Sequence, residues 1–395
     1  MRILVVPKWY PWPDRPVFGT FCQEQARALA GHHDVVVLAS DATPDSPFRA
    51  FTLSDGIEDG LRTLRVRYRR PRLRPLALGF QVAGLLAALT RLRRAGWRPD
   101  IVHAHVYSAG LAAIPLARRA RVPLVITEHF TGFERGLVSG YERTLARIAF
   151  RAADLVAPVS HDLARRLEDF GARPDRIAVV PNVVDADTFH AAPDARPRPS
   201  HDPPRLLSVG TLTAKKGHRD LLDALAQAPL RDRHVELRLV GAGDEQPALE
   251  ARAAAAGLDV KFLGERPKAE VAALMREADL FVLPSHHENL PTVLIEAQAT
   301  GLPAVASAVG GVPELIDGAS GRLVPARDPA ELSRAIAEAL DARERFDPVE
   351  LAERARARYG YEAFAARWSG LYSRLVRTTN SPARSTPEIP TSSTA

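Results

Sequence analysis

The 395-residue sequence predicts an α/β protein of two Rossmann-like domains facing a cleft, and three observations carry that prediction. Short apolar runs bounded by turn residues alternate with helical stretches, the rhythm of a parallel sheet covered on both faces. The rhythm occurs twice, on either side of a Pro-rich polar segment, AAPDARPRPSHDPP. The length exceeds what a single hydrophobic core ordinarily organises.

In chain order, RILVVP at 2–7 reads as a buried strand, followed by the aromatic and Pro-rich loop KWYPWPDRPVFGTF and a helix over 20–30. Gly19 stands directly before that helix, either as a turn glycine or as a point where a ligand approaches bare backbone. HDVVVLAS is the next strand. After a variable region, a helix over 76–94 precedes DIVHAH, LVITEH, DLVAPVS and IAVVPN, read as four more strands. Ligands of such sheets gather at the carboxyl ends of strands, where His103, His105, Glu128, His129 and Ser160 fall. VVPNVVDADTF then leads into the polar linker. The second series is RLLSVG, HVELRLVGAG, DVKFLGE, ADLFVLP, PAVASAVGG and GRLVP, with helical sequence from Pro329 onward. Phe364, Trp368, Leu371 and Leu375 recur at helical spacing in the last helix, near 361–376. The tail lacks apolar periodicity and is expected to be disordered. The predicted boundaries are a first domain over 1–184, hinge and linker over 185–204, a second domain over 205–345, C-terminal helices over 346–377 and the tail over 378–395.

With 46% hydrophobic and 25% charged residues, the composition is that of a soluble globular protein. The most apolar stretch, Leu76 to Leu89, is interrupted by Gln81 and reads as too short to span a bilayer. No signal-peptide pattern precedes the first strand, and a cytoplasmic location is expected. A single cysteine, Cys22, excludes an internal disulfide and a Cys-rich metal cluster. Between Leu61 and Pro75 seven arginines occur without an acid. Such a stripe suits an anionic partner, either phosphorylated substrates or an anionic membrane surface at which the protein is peripheral, or else a solvated strand face. No helix-turn-helix, RNP-like or zinc-finger pattern accompanies it, so no nucleic acid partner is expected.

The chemistry concentrates in HHENLPTVLIEAQATGLP, 286–303, where Glu288 and Glu296 are separated by seven residues. Pro291 opens the periodic segment, which puts a helix start at about Thr292, Glu288 in the preceding loop and Glu296 one turn beyond the free amides. Backbone N–H groups and the positive end of a helix dipole between two carboxylates suit a phosphate flanked by hydroxyl-bearing sugars. Glu296 lies within the apolar run VLIEA, where an unpaired charge is costly to bury.

This E-x7-E signature, followed by A-x-x-x-G-x-P, resembles the retaining glycosyltransferases of family 4, which have the GT-B fold, and the resemblance runs over nearly the whole chain. It implies two Rossmann-like domains with the C-terminal helix crossing back to the first, and transfer from a nucleotide sugar donor to a sugar, lipid-linked or small-molecule acceptor. It also implies no cofactor and no metal. The adjacent His286 and His287 are poorly disposed to share one ion.

SVGTLTAKKGHRDLLDAL resembles the family's phosphate-binding strand, loop and helix, with Lys216 before Gly217 in the position that meets the leaving diphosphate. Many relatives carry an Arg where this chain has Thr211, a loss of charge for which Lys215 is the candidate replacement. By the same resemblance, Lys216, Glu288 and His129 serve catalysis, with Glu288 on sugar hydroxyls and His129 toward the transferred sugar. Glu296 accepts from the donor ribose. The backbone of Asn289, Leu290, Pro291, Thr292 and Val293 holds sugar and phosphate, Gly264 to Arg266 reads the base, and Gly19 lies beside the phosphates. Two other readings remain at this point: a sugar-nucleotide epimerase of similar fold, and an inactive donor-binding scaffold.

Overall fold

The computed structural model describes residues 1–43, 50–72, 74–192 and 201–380. The first half contains β1 (Arg2–Pro7), α1 (Thr20–Ala30), β2 (Asp34–Thr43), β3 (Phe51–Glu58), β4 (Leu61–Arg69), α2 (Arg74–Arg94), β5 (Ile101–His105), α3 (Tyr107–Ala120), β6 (Leu124–Glu128), α4 (Gly140–Ala152), β7 (Leu155–Pro158) and α5 (His161–Glu168). Its strands form one sheet in the order β3-β4-β2-β1-β5-β6-β7. All its pairings are parallel except β3 with β4. Central strands β1, β5 and β6 are buried along almost their whole length, which is why they read as unbroken apolar runs.

The second half contains β8 (Arg205–Val209), α6 (His218–Leu225), β9 (Glu236–Val240), α7 (Gln246–Ala255), β10 (Val260–Phe262), α8 (Lys268–Glu277), β11 (Leu280–Leu283), α9 (Thr292–Ala299), β12 (Ala304–Ser307), β13 (Gly321–Val324), α10 (Pro329–Asp341), α11 (Pro348–Tyr359) and α12 (Tyr361–Asn380). Its six strands run β10-β9-β8-β11-β12-β13, all parallel. The strand order reverses between β8 and β11, and in the first sheet between β1 and β5. Each reversal leaves a crevice at the carboxyl ends of the two strands.

Four expectations change. IAVVPN is no ladder strand: it touches β7 through a single bridge, Ile177 to Val156, and two backbone hydrogen bonds, Ala178 to Val156 and Val180 to Pro158. Pro181 has no N–H to continue the ladder. The variable region is instead the β3–β4 hairpin, and several of the stripe's arginines are occupied there. Arg62 is paired with Asp55, and Arg65 with Glu58, with the Arg65 guanidinium 4.4 Å from the Trp12 ring; Arg67, Arg69 and Arg70 are exposed. The apolar stretch at Leu76 belongs to a 21-residue helix, α2, of which Pro75–Arg94 is long and apolar enough to cross a membrane by length and composition. Its Leu85, Ala88, Leu89 and Leu92 are buried in the core formed with β4 and α3. Finally, α11 packs on α9 of the second half, so that among the C-terminal helices it is α12 that packs on α1. Helix α12 continues through Asn380, three residues past the expected tail boundary; linker residues 193–200 and tail residues 381–395 lie outside the described residues.

The two chain crossings between the halves meet. The Val184 N–H donates to the Tyr359 carbonyl at 2.9 Å, and Val184 bridges Gly360, the residue between α11 and α12. Beyond this point Trp368 and Tyr372 are fully buried in the same apolar cluster as Ile3, Val5 and Val37, and Tyr372 lies 2.6 Å from His103 Nδ1. Trp368→Ala is expected to destabilise the first domain by about 3–5 kcal/mol through the cavity it leaves, read as a lower denaturant midpoint with little change in slope.

Candidate active site

Helix α9 is apolar nearly all round, as befits a helix packed between α8, α11 and the sheet. Pro291 caps it with φ −69°, the Leu294 N–H donates back to the Pro291 carbonyl at 3.1 Å, and the amides of Thr292 and Val293, which have no partner inside the helix, lie at the crevice between β8 and β11. The loop ahead of it is pinned to the loop after β8. The His286 N–H donates to the Lys215 carbonyl at 2.8 Å, and the His286 ring lies 2.7 Å from Asp220 on α6. Gly217 has φ +68°, and a Cβ there would sit 1.9 Å from the Pro284 carbonyl oxygen, so only glycine allows the two loops to approach this closely.

That approach sets the central ion pair. The Lys216 ammonium donates to Glu288 Oε1 at 2.5 Å, and the Ser285 hydroxyl donates to the same oxygen at 2.8 Å. Glu288 is buried, so the pair and the hydroxyl together compensate its desolvation. Lys215, half-buried beside Lys216, has its pKa lowered first by burial and then by that neighbouring charge. Two cations and the start of α9 thus converge on one crevice. Gly210, Gly241 and Gly264 adjoin at the ends of β8, β9 and β10: a Cβ on Gly241 would lie 1.9 Å from the Gly210 carbonyl oxygen, and the Gly241 N–H donates to the Gly264 carbonyl at 2.8 Å.

The first domain closes over this crevice through polar side chains. Asn289 Nδ2 donates to the His129 carbonyl at 2.7 Å, and Asn182 Nδ2 donates to the Leu290 carbonyl at 2.7 Å. His287 Nδ1 lies 3.2 Å from Glu134, and both Glu314 carboxylate oxygens accept from the amides of His161 and Asp162 at the start of α5. Gly19, with φ +77°, backs onto the Trp9 carbonyl carbon, 2.3 Å from where a Cβ would lie.

Glu296 occupies a second charged pocket. Its pKa is pushed up to about 7, chiefly by burial; Lys268 draws it down and Glu24 raises it. Lys268 is itself paired to Glu24 at 2.8 Å, and the Tyr361 hydroxyl also donates to Glu24. A buried carboxylate poised near neutrality suits a site that accepts hydroxyl hydrogen bonds.

Of the residues singled out from sequence, the structure gathers Lys215, Lys216, Glu288, Asn289, Leu290, Pro291, Thr292 and Val293 at one crevice, sets Glu296 apart from them near Lys268 and Glu24, and brings the His129 backbone carbonyl onto Asn289 while the His129 ring turns to His105. Thr211 is exposed after β8, and exposed Arg266 pairs with Glu270 at 3.4 Å. Sequence reasoning missed Ser285, Asn182, Glu134, Glu24 and Lys268, and also the proximity of Cys22, His105 and His129, whose ligand atoms lie within 4.8 Å of one another. Nothing local marks these residues, because their partners lie far along the chain.

Comparison with known proteins agrees with this geometry. Residues 18–188 match the model described as Glycosyltransferase Family 4, and residues 193–358 match Glycosyl transferases group 1. Glycogen synthase of Mycobacterium tuberculosis is 32% identical over 380 residues, covering 90% of this chain and 89% of that protein. D-inositol 3-phosphate glycosyltransferase of Frankia alni is 34% identical over 256 residues, covering 58% and 63%. Among solved structures, sucrose-phosphate synthase of Thermosynechococcus elongatus superposes with a TM-score of 0.76 at 23% identity, covering 96% of this chain and 100% of that one. Anabaena HepE in complex with UDP-glucose superposes with a TM-score of 0.71 at 22% identity, covering 95% and 100%. With its paired Rossmann-like sheets and its E-x7-E helix at the second switch point, the chain belongs to the family 4 glycosyltransferases of the GT-B fold.

Proposed function

We propose that the protein transfers a sugar from a nucleoside diphosphate sugar to an acceptor hydroxyl with retention of configuration, in glycan or polysaccharide synthesis. The observation that carries this reading is the Lys216–Glu288 pair beneath the start of α9. The diphosphate lies against the first-turn amides, and Lys216 and Lys215 offset the charge that grows on the leaving group, so that no divalent ion is needed. Glu296 accepts from the ribose, Glu288 and His129 meet the transferred sugar, and Gly264 to Arg266 lie toward the base. In this front-face course the acceptor oxygen bonds to the anomeric carbon as the bond to phosphate breaks, and the departing phosphate takes the acceptor proton. The solved complex of HepE with UDP-glucose supports a donor of this chemical class, and the glycogen synthase relative supports a sugar acceptor. Release of nucleoside diphosphate only when acceptor is present supports the reading, and acceptor-independent conversion of the nucleotide sugar overturns it.

Lys216→Ala is expected to lower kcat at least about tenfold, since ~1.4 kcal/mol of transition-state stabilisation is worth that factor, and wild-type turnover is expected to persist in EDTA. A larger loss in Lys215→Ala than in Lys216→Ala would move the principal phosphate contact to Lys215.

Because Glu296 has a raised pKa near 7, its accepting, ionised form is depleted as pH falls through neutrality. Donor Kd is therefore expected to rise by up to about tenfold from pH 8 to pH 6. Glu296→Gln should bind more weakly at pH 8 and show a flat profile; an unchanged slope in that variant would remove Glu296 from the donor site.

Exposed Arg67, Arg69 and Arg70 lie at the end of β4, ahead of α2. We place the protein peripherally at the cytoplasmic membrane face through this edge, with each basic residue near the surface contributing about 1 kcal/mol. Sedimentation with anionic vesicles should fall steeply with salt and on changing the three to Ser, whereas equal recovery on neutral vesicles would leave them a solvated face.

A further inference from the structure

Cys22, His105 and His129 come from three elements, α1, the end of β5 and the residue after β6, and the sheet brings them together. β5 lies between β1 and β6, and α1 follows the loop after β1. Their ligand atoms all lie within 4.8 Å of one another. Cys22 and His105 are fully buried, and although His129 is exposed in part as a residue, its ring nitrogens are turned inward. The two rings stack at 5.4 Å with 12° between planes, and His105 Nδ1 lies 3.1 Å from His129 Nε2.

The bonding of these two rings is incomplete. His103, their neighbour on β5, uses both nitrogens, on Tyr372 at 2.6 Å and Thr127 at 2.7 Å, as a structural histidine should. His105 and His129 each use one nitrogen on the other, and His105 Nε2 and His129 Nδ1 are buried without a hydrogen-bond partner. Each facing nitrogen is thus held only by the other ring, which leaves both able to take up a ligand placed between them.

One nitrogen of each ring and the thiol are within reach of one metal ion. With metal–nitrogen bonds of about 2.0–2.1 Å and a metal–sulfur bond of about 2.3 Å, tetrahedral ligand atoms lie roughly 3.3–3.6 Å apart. The 3.1 Å contact between the rings has to open by a few tenths of an ångström, and the thiol, within 4.8 Å, has to close in. We propose that Cys22, His105 and His129 form a binding site for one thiophilic cation, Zn²⁺ or Cu⁺. One thiolate and two imidazoles select a soft ion over Mg²⁺ or Mn²⁺, which take oxygen ligands. The sulfur–metal bond replaces the Cys22 S–H bond, the proton goes to solvent, and no redox change is involved. Cu⁺ with one thiolate is neutral and Zn²⁺ carries one net positive charge, so burial favours Cu⁺ where both are offered.

The consequence is inhibition, and it rests on the placement of His129 at the transferred sugar proposed above. An ion that takes the His129 imidazole removes it from that sugar, so the enzyme turns over without metal and is silenced by a soft one.

The test uses the full-length protein stripped with EDTA and dialysed against Zn²⁺, against Cu⁺ without oxygen, and against Co²⁺ as an optical probe of thiolate ligation. Expected are one ion per chain and a near-ultraviolet cobalt–thiolate absorption, with loss of both in Cys22→Ala and in His105→Gln. Wild-type protein without the cobalt–thiolate absorption, or undiminished stoichiometry in Cys22→Ala, overturns the site, and neither result depends on activity or on a variant's folding alone. One equivalent of Zn²⁺ should reduce transfer at least tenfold, reversibly by EDTA. Zinc bound through Cys22 with transfer at full rate overturns the inhibition and the placement of His129 while the nucleotide-sugar reading stands.

Discussion

The backbone contact between the two chain crossings is the constraint from which the rest of the architecture follows. Where the chain leaves the first domain, Val184 is hydrogen-bonded to Tyr359, where it returns. Both connections pass through one point, and the two parallel sheets turn the carboxyl ends of β6 and β11 toward a shared cleft. Each sheet has its strand-order reversal at that edge. Loops that are unrelated in sequence, after β6 on one side and after β11 on the other, are thereby brought within hydrogen-bond distance. The bonds from Asn289 to His129 and from Asn182 to Leu290 are the direct result.

Within the cleft, every acid that is removed from water is given a compensating group, and the compensation differs with position. Glu288 has an ammonium and a hydroxyl on one oxygen. Glu24 has Lys268 and Tyr361. Glu128, pushed up to about 7 by burial, accepts from three backbone amides, of Tyr107, His129 and Phe130. Glu296 shares only the more distant Lys268 charge and stays close to its protonation midpoint. An ion pair already formed, as for Lys216, needs little reorganisation when charge develops nearby. A carboxylate left close to its midpoint responds to hydroxyl donors and to pH together.

The sequence by itself determined what depends on neighbours a few residues apart. Uninterrupted apolar runs located the central strands, because burial on both faces removes any need for alternation. Pro291 and the run after it located the start of α9, and the spacing of Phe364, Trp368 and Leu371 announced the buried face of α12. The same local signals misread IAVVPN, whose apolar pattern is that of a strand although it meets the sheet edge at one bridge. They were silent on the β3–β4 hairpin, where charged side chains alternate and the pairing Asp55–Arg62 stands in for apolar contact.

Tertiary structure alone decided which charges meet. Lys216 and Glu288 are 72 residues apart, and Asn182 and Leu290 are 108 apart. Such contacts cost loop-closure entropy rather than local strain, so no periodicity or turn chemistry records them. Cys22, His105 and His129 make the same point most sharply: singly they are a buried thiol and two strand-end histidines, and only the adjacency of β1, β5 and β6 makes them a cluster. Sequence spacing specifies the elements, because it acts through the covalent chain; the packing of two sheets about a common cleft specifies the site, because it acts through space.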